Sequence, residues 1–438
     1  MLDLIIGLYN IGWFIINGYN YYPLVRSKFS QRNEKTESGS LSSYPKISVL
    51  LPAYKEKDTL EECVKRLYEV DYPLEKIDLI LLTEKDDKET NEIVKKLKEK
   101  YPLKHVIVED TKEPKGKPRA LNQGLKYAEG EIVGVIDAED LISKDLFKKV
   151  AYKIKEEGFD AVQGILDMAN DYDGWKNLQF RGEYGYWYRR YLPALAKVEF
   201  PVPLGGTTNF IKKEVLEELG GWDPYNLTED FDLGLRLYNE DKRVTTTLPV
   251  TKRREIFWGE DKYKVDIINS VTKEESPRKW YTWLRQRTRW QRGKIQTLKK
   301  YLRNPPKGVR KKIHTFMACF SPHLGAINLS GSALSLYAYL TNLDLPTPIR
   351  ELTYVNLAAI AGYMYMQAKG YLDSTRDENI KNRKLKALII AITLPAYWFM
   401  QWIADLRAMK QEYLEKKIFW EKTEHEGRHL KKYREKQN

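Results

Sequence analysis

One short run near residue 290 combines side chains that can hold a diphosphate and a sugar. In Gln286-Arg287-Thr288-Arg289-Trp290, the residues Gln286, Arg289 and Trp290 supply an amide, a permanent cation and a flat apolar wall within about one helical turn. Charge-assisted hydrogen bonds suit phosphate oxygens, and an aromatic face suits a sugar ring. A second interpretation is a membrane anchor, because Arg and Trp side chains on a helix beside a bilayer also reach its interface.

Acidic and basic side chains that suit a metal and a diphosphate lie near residues 115 to 140. The sequence DAED supplies Asp137, Glu139 and Asp140, whose hard oxygen ligands suit Mg²⁺ or Mn²⁺. The alternative is a solvated acidic turn that caps the next helix. Upstream, Lys117 lies in a basic loop with a glycine that opens onto a helix, which can hold phosphate oxygens or can simply be solvated.

Two further motifs place small and acidic residues where a second substrate could bind. The turn LGGTTN, residues 204–209, contains Gly206 and Thr207 and would let a ligand approach the backbone closely. In TED, residues 228–230, Asp230 begins an amphipathic helix. A carboxylate is ordinary at a helix N-terminus, but here it could also be a general base that deprotonates a sugar hydroxyl.

Strands and helices alternate between residues 46 and 136. The pattern predicts strands at 47–51, 77–82, 106–108 and 132–136, with helices at 60–70, 90–100 and 120–128. Such alternation indicates a mostly parallel sheet with right-handed crossovers. Ligands of these sheets bind beyond the carboxyl ends of the strands, where Glu84, Asp86 and the DAED turn fall.

Apolar segments flank this region on both sides. Residues 4–25, 313–343, 352–366 and 385–403 are candidate membrane helices, the third being short and interrupted by Asn356. A signal peptide is disfavoured for the first because it has no basic start and no small-residue cleavage site. The expected organisation is a membrane helix at 1–26, a linker at 27–45, a catalytic domain at 46–310, membrane or interfacial helices at 311–406, and a cytoplasmic tail at 407–438.

The basic segments around the last apolar stretch conflict with a simple membrane topology. The loop 373–386 and the tail after residue 407 are both rich in Lys and Arg, so both should lie on the cytoplasmic side. A single span at 385–403 cannot join two segments on one side. Either this stretch is re-entrant or interfacial, or residues 313–343 do not cross the membrane as one simple span.

Composition narrows the possible partners. The chain has 438 residues, with 74 Lys and Arg against 61 Asp and Glu, and a net charge of +13. This excess suits anionic lipid or an anionic substrate, and no nucleic-acid-binding motif accompanies it. Cys63 and Cys319 are too far apart in sequence to match a metal motif, and we expect both to be packing residues.

Taken together, DAED, PLGGTTN, GGWDPYNLTED and QRTRWQRGKIQT resemble the membrane-embedded family 2 glycosyltransferases of the cellulose-synthase-like and hyaluronan-synthase-like kind. The resemblance is closest to the exopolysaccharide synthase branch and covers about residues 46–300. Each motif is weak to moderate by itself, but their order and spacing are specific. The resemblance implies an α/β nucleotide-sugar-binding domain of the glycosyltransferase A type, with transmembrane helices at the N-terminus and in the C-terminal third.

The resemblance also implies a role for each candidate residue. Asp230 would be the catalytic base. Glu84 stands where many relatives carry an Asp that binds uridine, which leaves the nucleotide base of the donor open. The donor nucleotide sugar would be bound by Pro52, Ala53, Tyr54, Glu56, Glu84, Lys117, Gln286, Arg289, Thr423 and His425. The acceptor would contact Trp290, Gly206, Thr207 and Glu229, and Mg²⁺ or Mn²⁺ would be held by Asp137, Glu139 and Asp140.

The C-terminal tail contains a segment similar to the gating loop of cellulose synthases. Trp420, Thr423 and His425 have the aromatic, Thr and basic spacing of that loop, although a solvated tail is the alternative. The expected protein lies in the cell membrane with a cytoplasmic catalytic domain. It would be a processive inverting synthase that uses a UDP-sugar, with a single-addition lipid glycosyltransferase as the alternative and a non-enzymatic scaffold as the least favoured reading.

Overall fold

Seven strands form one mixed sheet in the computed structural model, which describes residues 2–30, 41–170, 173–240, 263–320, 323–415, 427, 429 and 430. Across the sheet they are ordered β3-β2-β1-β4-β6-β5-β7. β6 runs antiparallel to β4 and β5, and the other pairs are parallel. The mostly parallel sheet is therefore confirmed. The strands are β1 (Ile47–Ala53), β2 (Ile77–Glu84), β3 (Leu103–Val108), β4 (Ile132–Val135), β5 (Ala161–Met168), β6 (Asn209–Lys212) and β7 (Val265–Glu274).

Helices cover both faces of the sheet and then form most of the C-terminal third. The predicted positions hold to within a few residues: the second helix ends at Leu67 instead of residue 70, and β3 begins three residues earlier than expected. The helices are α1 (Leu2–Arg26), α2 (Leu60–Leu67), α3 (Lys88–Lys100), α4 (Lys117–Leu125), α5 (Leu146–Ala151), α6 (Trp175–Tyr186), α7 (Leu192–Lys197), α8 (Lys213–Glu218), α9 (Glu229–Asn239), α10 (Trp280–Arg303), α11 (Val309–Phe320), α12 (Leu324–Leu340), α13 (Thr347–Ser374) and α14 (Arg383–Lys410).

The sheet brings the polar motifs together at one edge. All eight residues of β2 are buried, as expected for a parallel strand covered on both faces. Because β1 and β4 pair in register at Leu50 and Val135, the chain leaves both strands at the same edge, toward Tyr54 and Asp137. The neighbouring β6 runs the opposite way, so the turn before it, which contains Gly206, reaches that edge too. A crevice at the strand ends follows from this topology.

The helices α1, α12 and α13 pack together with polar groups inside and apolar groups outside. Asn356 donates a hydrogen bond to the backbone oxygen of Asn10 at 3.1 Å, and Trp13 donates to Asn328 at 2.6 Å. Large apolar side chains point outward; on these three helices they include Leu4, Leu8, Ile15, Leu336, Leu340, Tyr354 and Val355. The segment expected at 313–343 is divided between α11 and α12.

Among the described residues, one helix is long and apolar enough to cross a membrane, the stretch Arg383–Glu415 that includes α14. The expectation of several membrane spans is therefore not confirmed. Salt bridges near both ends of this helix join it to α6 and α10. Just before it, Glu378 pairs with Arg181 of α6 at 2.6 Å, and at its end Glu412 pairs with Arg292 of α10 at 2.9 Å. The position of residues 385–403 relative to a membrane stays a prediction.

Candidate active site

A cavity of about 750 Å³ opens at the carboxyl ends of the strands and continues between α6, α10 and the C-terminal helices. Fifteen of the eighteen residues singled out from the sequence line it. Asp140 lies behind its wall, and Thr423 and His425 are outside the described residues. The lining residues that the sequence suggested are Pro52, Ala53, Tyr54, Glu56, Glu84, Lys117, Asp137, Glu139, Gly206, Thr207, Glu229, Asp230, Gln286, Arg289 and Trp290.

One end of the cavity has an aromatic ring and fixed carboxylates that suit a nucleotide base and ribose. The Tyr54 hydroxyl donates to Asp86 at 3.3 Å, and the ammonium of Lys115 lies 4.3 Å from the centre of the Tyr54 ring. Deeper in, Arg119 donates to both oxygens of Glu84 at 2.9 and 2.8 Å. Sequence reasoning missed Arg119, which fixes the Glu84 carboxylate through these two hydrogen bonds.

The three acidic residues of the DAED turn have different surroundings. Asp137 and Glu139 line the cavity, whereas the Asp140 carboxylate accepts hydrogen bonds from the Asp137 backbone at 3.0 Å and from the Thr207 hydroxyl. Burial, reinforced by the carboxylate of Glu274, raises the pKa of Asp140 well above its usual value. Asp140 therefore holds the turn together and does not line the cavity, and its role as a metal ligand stays a prediction.

Asp137 and Glu139 suit a cation that is coordinated partly by the protein and partly by a diphosphate. No group of three or more His, Cys, Asp and Glu side chains is arranged to hold a metal in the part of the chain that the structure describes. Mg²⁺ is commonly held by one or two carboxylates together with phosphate oxygens and water. Asp137 and Glu139 meet that requirement with hard oxygen donors at the cavity wall.

Lys117 connects the acidic turn to the glycine-rich turn. Its ammonium donates to the backbone oxygen of Gly206 at 2.8 Å and pairs with Asp137. Burial alone would lower the pKa of Lys117, but the carboxylates of Asp137 and Glu229 outweigh it and raise that pKa above its ordinary value. The side chain is thus a fixed positive charge in the cavity, at the position expected for a phosphate-binding lysine.

Two adjacent carboxyl groups begin α9 in the middle of the cavity. Burial raises the pKa of Glu229 to about 7, with a further contribution from Asp230, and burial also raises the pKa of Asp230. The Asp230 carboxylate accepts a hydrogen bond from the Phe231 backbone at 2.8 Å, which orients it. A Cβ added at Gly206 would lie 3.5 Å from an Asp230 oxygen, so the small residue leaves room beside that carboxylate.

Glu229→Gln should move the acidic limb of the pH profile of kcat/KM to lower pH. Burial and the adjacent Asp230 raise the pKa of Glu229 to about 7, and each carboxyl group affects the ionisation of the other. Because a general base at this carboxyl pair would have to be unprotonated, we expect the wild type to lose activity as the pH falls through that value. Removing one carboxylate removes its negative charge from beside the other, so the other should ionise at lower pH. Initial rates between pH 5.5 and 9 test this, and an unchanged inflection would contradict it.

Helix α10 forms the opposite wall. It approaches α9 closely because Gly293 has no side chain: a Cβ there would lie 2.3 Å from the Thr228 hydroxyl oxygen. Arg289 donates to the backbone oxygen of Leu227 at 3.2 Å, and the Trp290 ring lies 6.1 Å from that of Phe180, centre to centre. Since Arg289 and Trp290 face the cavity, these two side chains do not form a membrane anchor.

Several residues around the site had not been singled out from the sequence. Arg287 pairs with Glu183 through two contacts of 2.7 Å and lies 4.6 Å from the centre of the Trp290 ring, so it holds the aromatic wall in place. Glu274, at the end of β7, also lines the cavity. The adjacent acidic pair Glu274-Glu275, a few residues before the helix that contains QRTRW, was the available signal.

Residues near the C-terminus pack beside the acidic turn. The His429 ring contacts the backbone oxygen of Glu139 at 2.7 Å, and the Gly427 backbone donates to Glu275 at 2.8 Å. The chain after α14 therefore returns to the rim of the cavity. This position is compatible with a gate, although Trp420, Thr423 and His425 themselves lie outside the described residues.

Known proteins resemble this chain in sequence and in fold. "Probable glycosyltransferase YdaM" of Bacillus subtilis is 26% identical over 422 residues, which are 91% of each chain. "Beta-monoglucosyldiacylglycerol synthase" of Synechocystis is 24% identical over 89% of this chain and 77% of its own. "Poly-beta-1,6-N-acetyl-D-glucosamine synthase" of Staphylococcus aureus is 25% identical over 54% of this chain and 55% of its own.

The fold has a counterpart among solved structures. The mannosyltransferase PcManGT of Pyrobaculum calidifontis, in complex with GDP-Man and Mn²⁺, superposes with a TM-score of 0.59 at 18% identity, covering 95% of this chain and all of the other. That likeness supports a glycosyltransferase A-like α/β fold. The family model described as "Glycosyltransferase like family 2" matches residues 45–293, more than half of the chain. The chain therefore belongs to family 2 of the glycosyltransferases.

Proposed function

We propose that this protein is an inverting membrane glycosyltransferase that moves a hexose or N-acetylhexosamine from a UDP-sugar onto a growing polysaccharide. The observation that carries the proposal is the single cavity, which joins Tyr54 and Lys117 at one end to Asp230 and Trp290 in the middle. Beyond Trp290 the same cavity continues between the C-terminal helices as far as Gln367. A donor and a long acceptor can therefore meet at one carboxylate.

The donor end supplies positive charge for the leaving group. With a UDP-sugar bound, Lys117 and Arg289 would neutralise the diphosphate as the bond between the anomeric carbon and the phosphate oxygen breaks. A Mg²⁺ or Mn²⁺ ion held by Asp137 and Glu139 would add Lewis-acid stabilisation of the same oxygens. Fixed charges in a site shielded from water are usually a large contribution to catalysis.

The middle of the cavity supplies the base. Asp230 would accept the proton of the acceptor hydroxyl while that oxygen attacks the anomeric carbon from the side opposite the diphosphate, which inverts its configuration. Burial raises the pKa of this carboxyl, which makes it a stronger base than an exposed aspartate. Trp290 and Phe180 would hold the sugar ring of the acceptor at the required distance.

We also propose that the protein is embedded in the cell membrane with its catalytic domain in the cytoplasm. The support is the arrangement of α1, α12 and α13, whose outward faces are apolar while amides lie between the helices. Soluble proteins rarely expose contiguous apolar surface of this kind, whereas polar residues between membrane helices are common. α14 would lie along the interface, because salt bridges near both of its ends join it to α6 and α10.

A lipid glycosyltransferase that adds a single sugar is the second candidate. Its support is the similarity to beta-monoglucosyldiacylglycerol synthase over 89% of this chain and the small number of apolar helices that could form a polymer passage. The catalytic steps would be the same, so the product and not the active-site chemistry separates the two.

Product analysis tests the proposal directly. The full-length protein in lipid nanodiscs with Mn²⁺ or Mg²⁺ would receive UDP-glucose, UDP-N-acetylglucosamine, UDP-galactose or GDP-mannose, each radiolabelled in the sugar. We expect one UDP-sugar to yield nucleotide release and a high-mass product that a specific glycosidase digests. An organic-soluble product with one sugar would favour the lipid glycosyltransferase, and no nucleotide release from any donor would contradict both.

A further inference from the structure

The part of the cavity beyond Trp290 is lined by residues with buried polar atoms that have no partner in the described part of the chain. Asn328 of α12, and Tyr363 and Gln367 of α13, line this part. Each has a side-chain atom, Nδ2, Oη and Oε1 respectively, that is buried and makes no hydrogen bond within the described residues. Leaving such groups unpaired is costly, so a cluster of them on residues that line one cavity indicates a ligand that pairs with them.

The orientation of the Asn328 amide is fixed by Trp13 of α1. The indole nitrogen of Trp13 can only donate, and it lies 2.6 Å from one side-chain atom of Asn328. That atom must therefore be the oxygen, which leaves the NH₂ group as the one without a partner. Asn328 is fully buried and lines the cavity, so its two N–H donors are shielded from the solvent outside the protein.

The neighbouring groups complete a surface for a neutral polar ligand. Tyr363 and Gln367 are four residues apart on one helix, so their side chains share a face. The ring of Tyr21 lies 4.7 Å from that of Tyr363, centre to centre, and holds it in place. A hydrocarbon chain would leave all of these groups unpaired, whereas sugar hydroxyl or acetamido groups would pair with them.

We infer that Asn328, with Tyr363 and Gln367, forms a binding subsite for an uncharged sugar residue of the acceptor, and that Trp13 is a positioning residue for Asn328. This inference rests on the proposed function, because it assigns the acceptor in the deep part of the cavity to glycan and not to lipid. It gives the N-terminal helix a role in acceptor binding that the catalytic motifs do not indicate.

Two substitutions at Asn328 separate the hydrogen-bond donor from the shape of the side chain. Asn328→Asp keeps an oxygen for Trp13 but replaces the N–H donors, and Asn328→Leu removes both polar atoms. Trp13→Phe keeps a ring but frees the amide to rotate. The matched control is Asn17→Leu, because Asn17 of α1 is also a buried amide without a partner among the described residues, yet it does not line the cavity.

The readout uses the full-length variants in nanodiscs with the donor that the wild type turns over and a tetrasaccharide of the donor's own sugar as primer. We expect both Asn328 variants to raise the primer KM about five- to tenfold, with the Kd of UDP unchanged. Trp13→Phe should raise it less, and Asn17→Leu should not change it. Thermal unfolding of each variant identifies any that fail to fold.

The outcomes distinguish this inference from the proposed function. A wild type that elongates the primer while folded Asn328→Asp and Asn328→Leu variants retain its KM would overturn the subsite and leave the polysaccharide function intact. A wild type that ignores the primer and glycosylates only a short-chain diacylglycerol would overturn both. Equal losses for primer and diacylglycerol would show a general packing defect and would also contradict the subsite.

Discussion

Asp230→Asn should lower the turnover number about 10²–10⁴-fold and leave the affinity for the UDP-sugar nearly unchanged. This range is the usual contribution of a general base. Asn keeps the oxygen that accepts the hydrogen bond from the Phe231 backbone, so the start of α9 should retain its structure. The donor groups are contributed by other elements, the helix that begins at Lys117 and the strand end before Asp137, and they do not depend on this carboxylate for position.

The measurement is UDP release at saturating donor, together with the Kd of the UDP-sugar by titration. Asp223→Asn is a suitable control, because Asp223 lies in the preceding loop, pairs with Lys300 at 3.4 Å and does not line the cavity. It should keep near wild-type turnover. Turnover by Asp230→Asn within a few-fold of the wild type would remove the base assignment. If Glu229→Gln were then the inactive variant, the role would pass to Glu229.

The sheet and most of the cavity wall were predictable because they depend on short-range patterns. Alternating strands and helices place the ends of β1 and β4 at one edge, and this alone brings Tyr54 and Asp137 together. The turn containing Gly206 was also expected next to a strand. The pairing of β5 with β7 was not predicted, since it joins residues about 100 positions apart with an irregular register near Gly164.

The orientation of side chains within a motif was less predictable. The sequence DAED does not reveal that Asp140 turns toward Thr207 while Asp137 faces the cavity, because that choice depends on β6, which arrives from far along the chain. The packing of the apolar segments was not predictable for a related reason. Average hydropathy records residue types and not faces, so it does not reveal that Asn10 and Asn356 meet between helices. Nor does it show that α14 lies along the catalytic region.

Asp137→Ala should weaken metal and donor binding together and lower kcat/KM about 10²–10³-fold. A comparable loss follows removal of one group that stabilises developing charge in an active site. Two effects combine here. With Glu139, Asp137 is one of the two cavity-lining carboxylates of the turn that would hold Mg²⁺ or Mn²⁺. Asp137 is also a carboxylate partner of the buried Lys117. Without it, burial would favour the neutral form of that lysine and weaken its attraction for the diphosphate.

Titration of UDP with and without Mn²⁺ separates the two effects. In the wild type we expect Mn²⁺ to tighten UDP binding, and in Asp137→Ala we expect that enhancement to disappear. Asp140→Asn is the matched comparison, since the amide oxygen can still accept the Thr207 and Asp137 hydrogen bonds. It should retain the Mn²⁺ enhancement and lose at most some thermal stability. If Asp137→Ala kept the enhancement and Asp140→Asn lost it, the metal would have to be held by the carboxylate behind the cavity wall. The turn would then have to open when the donor binds.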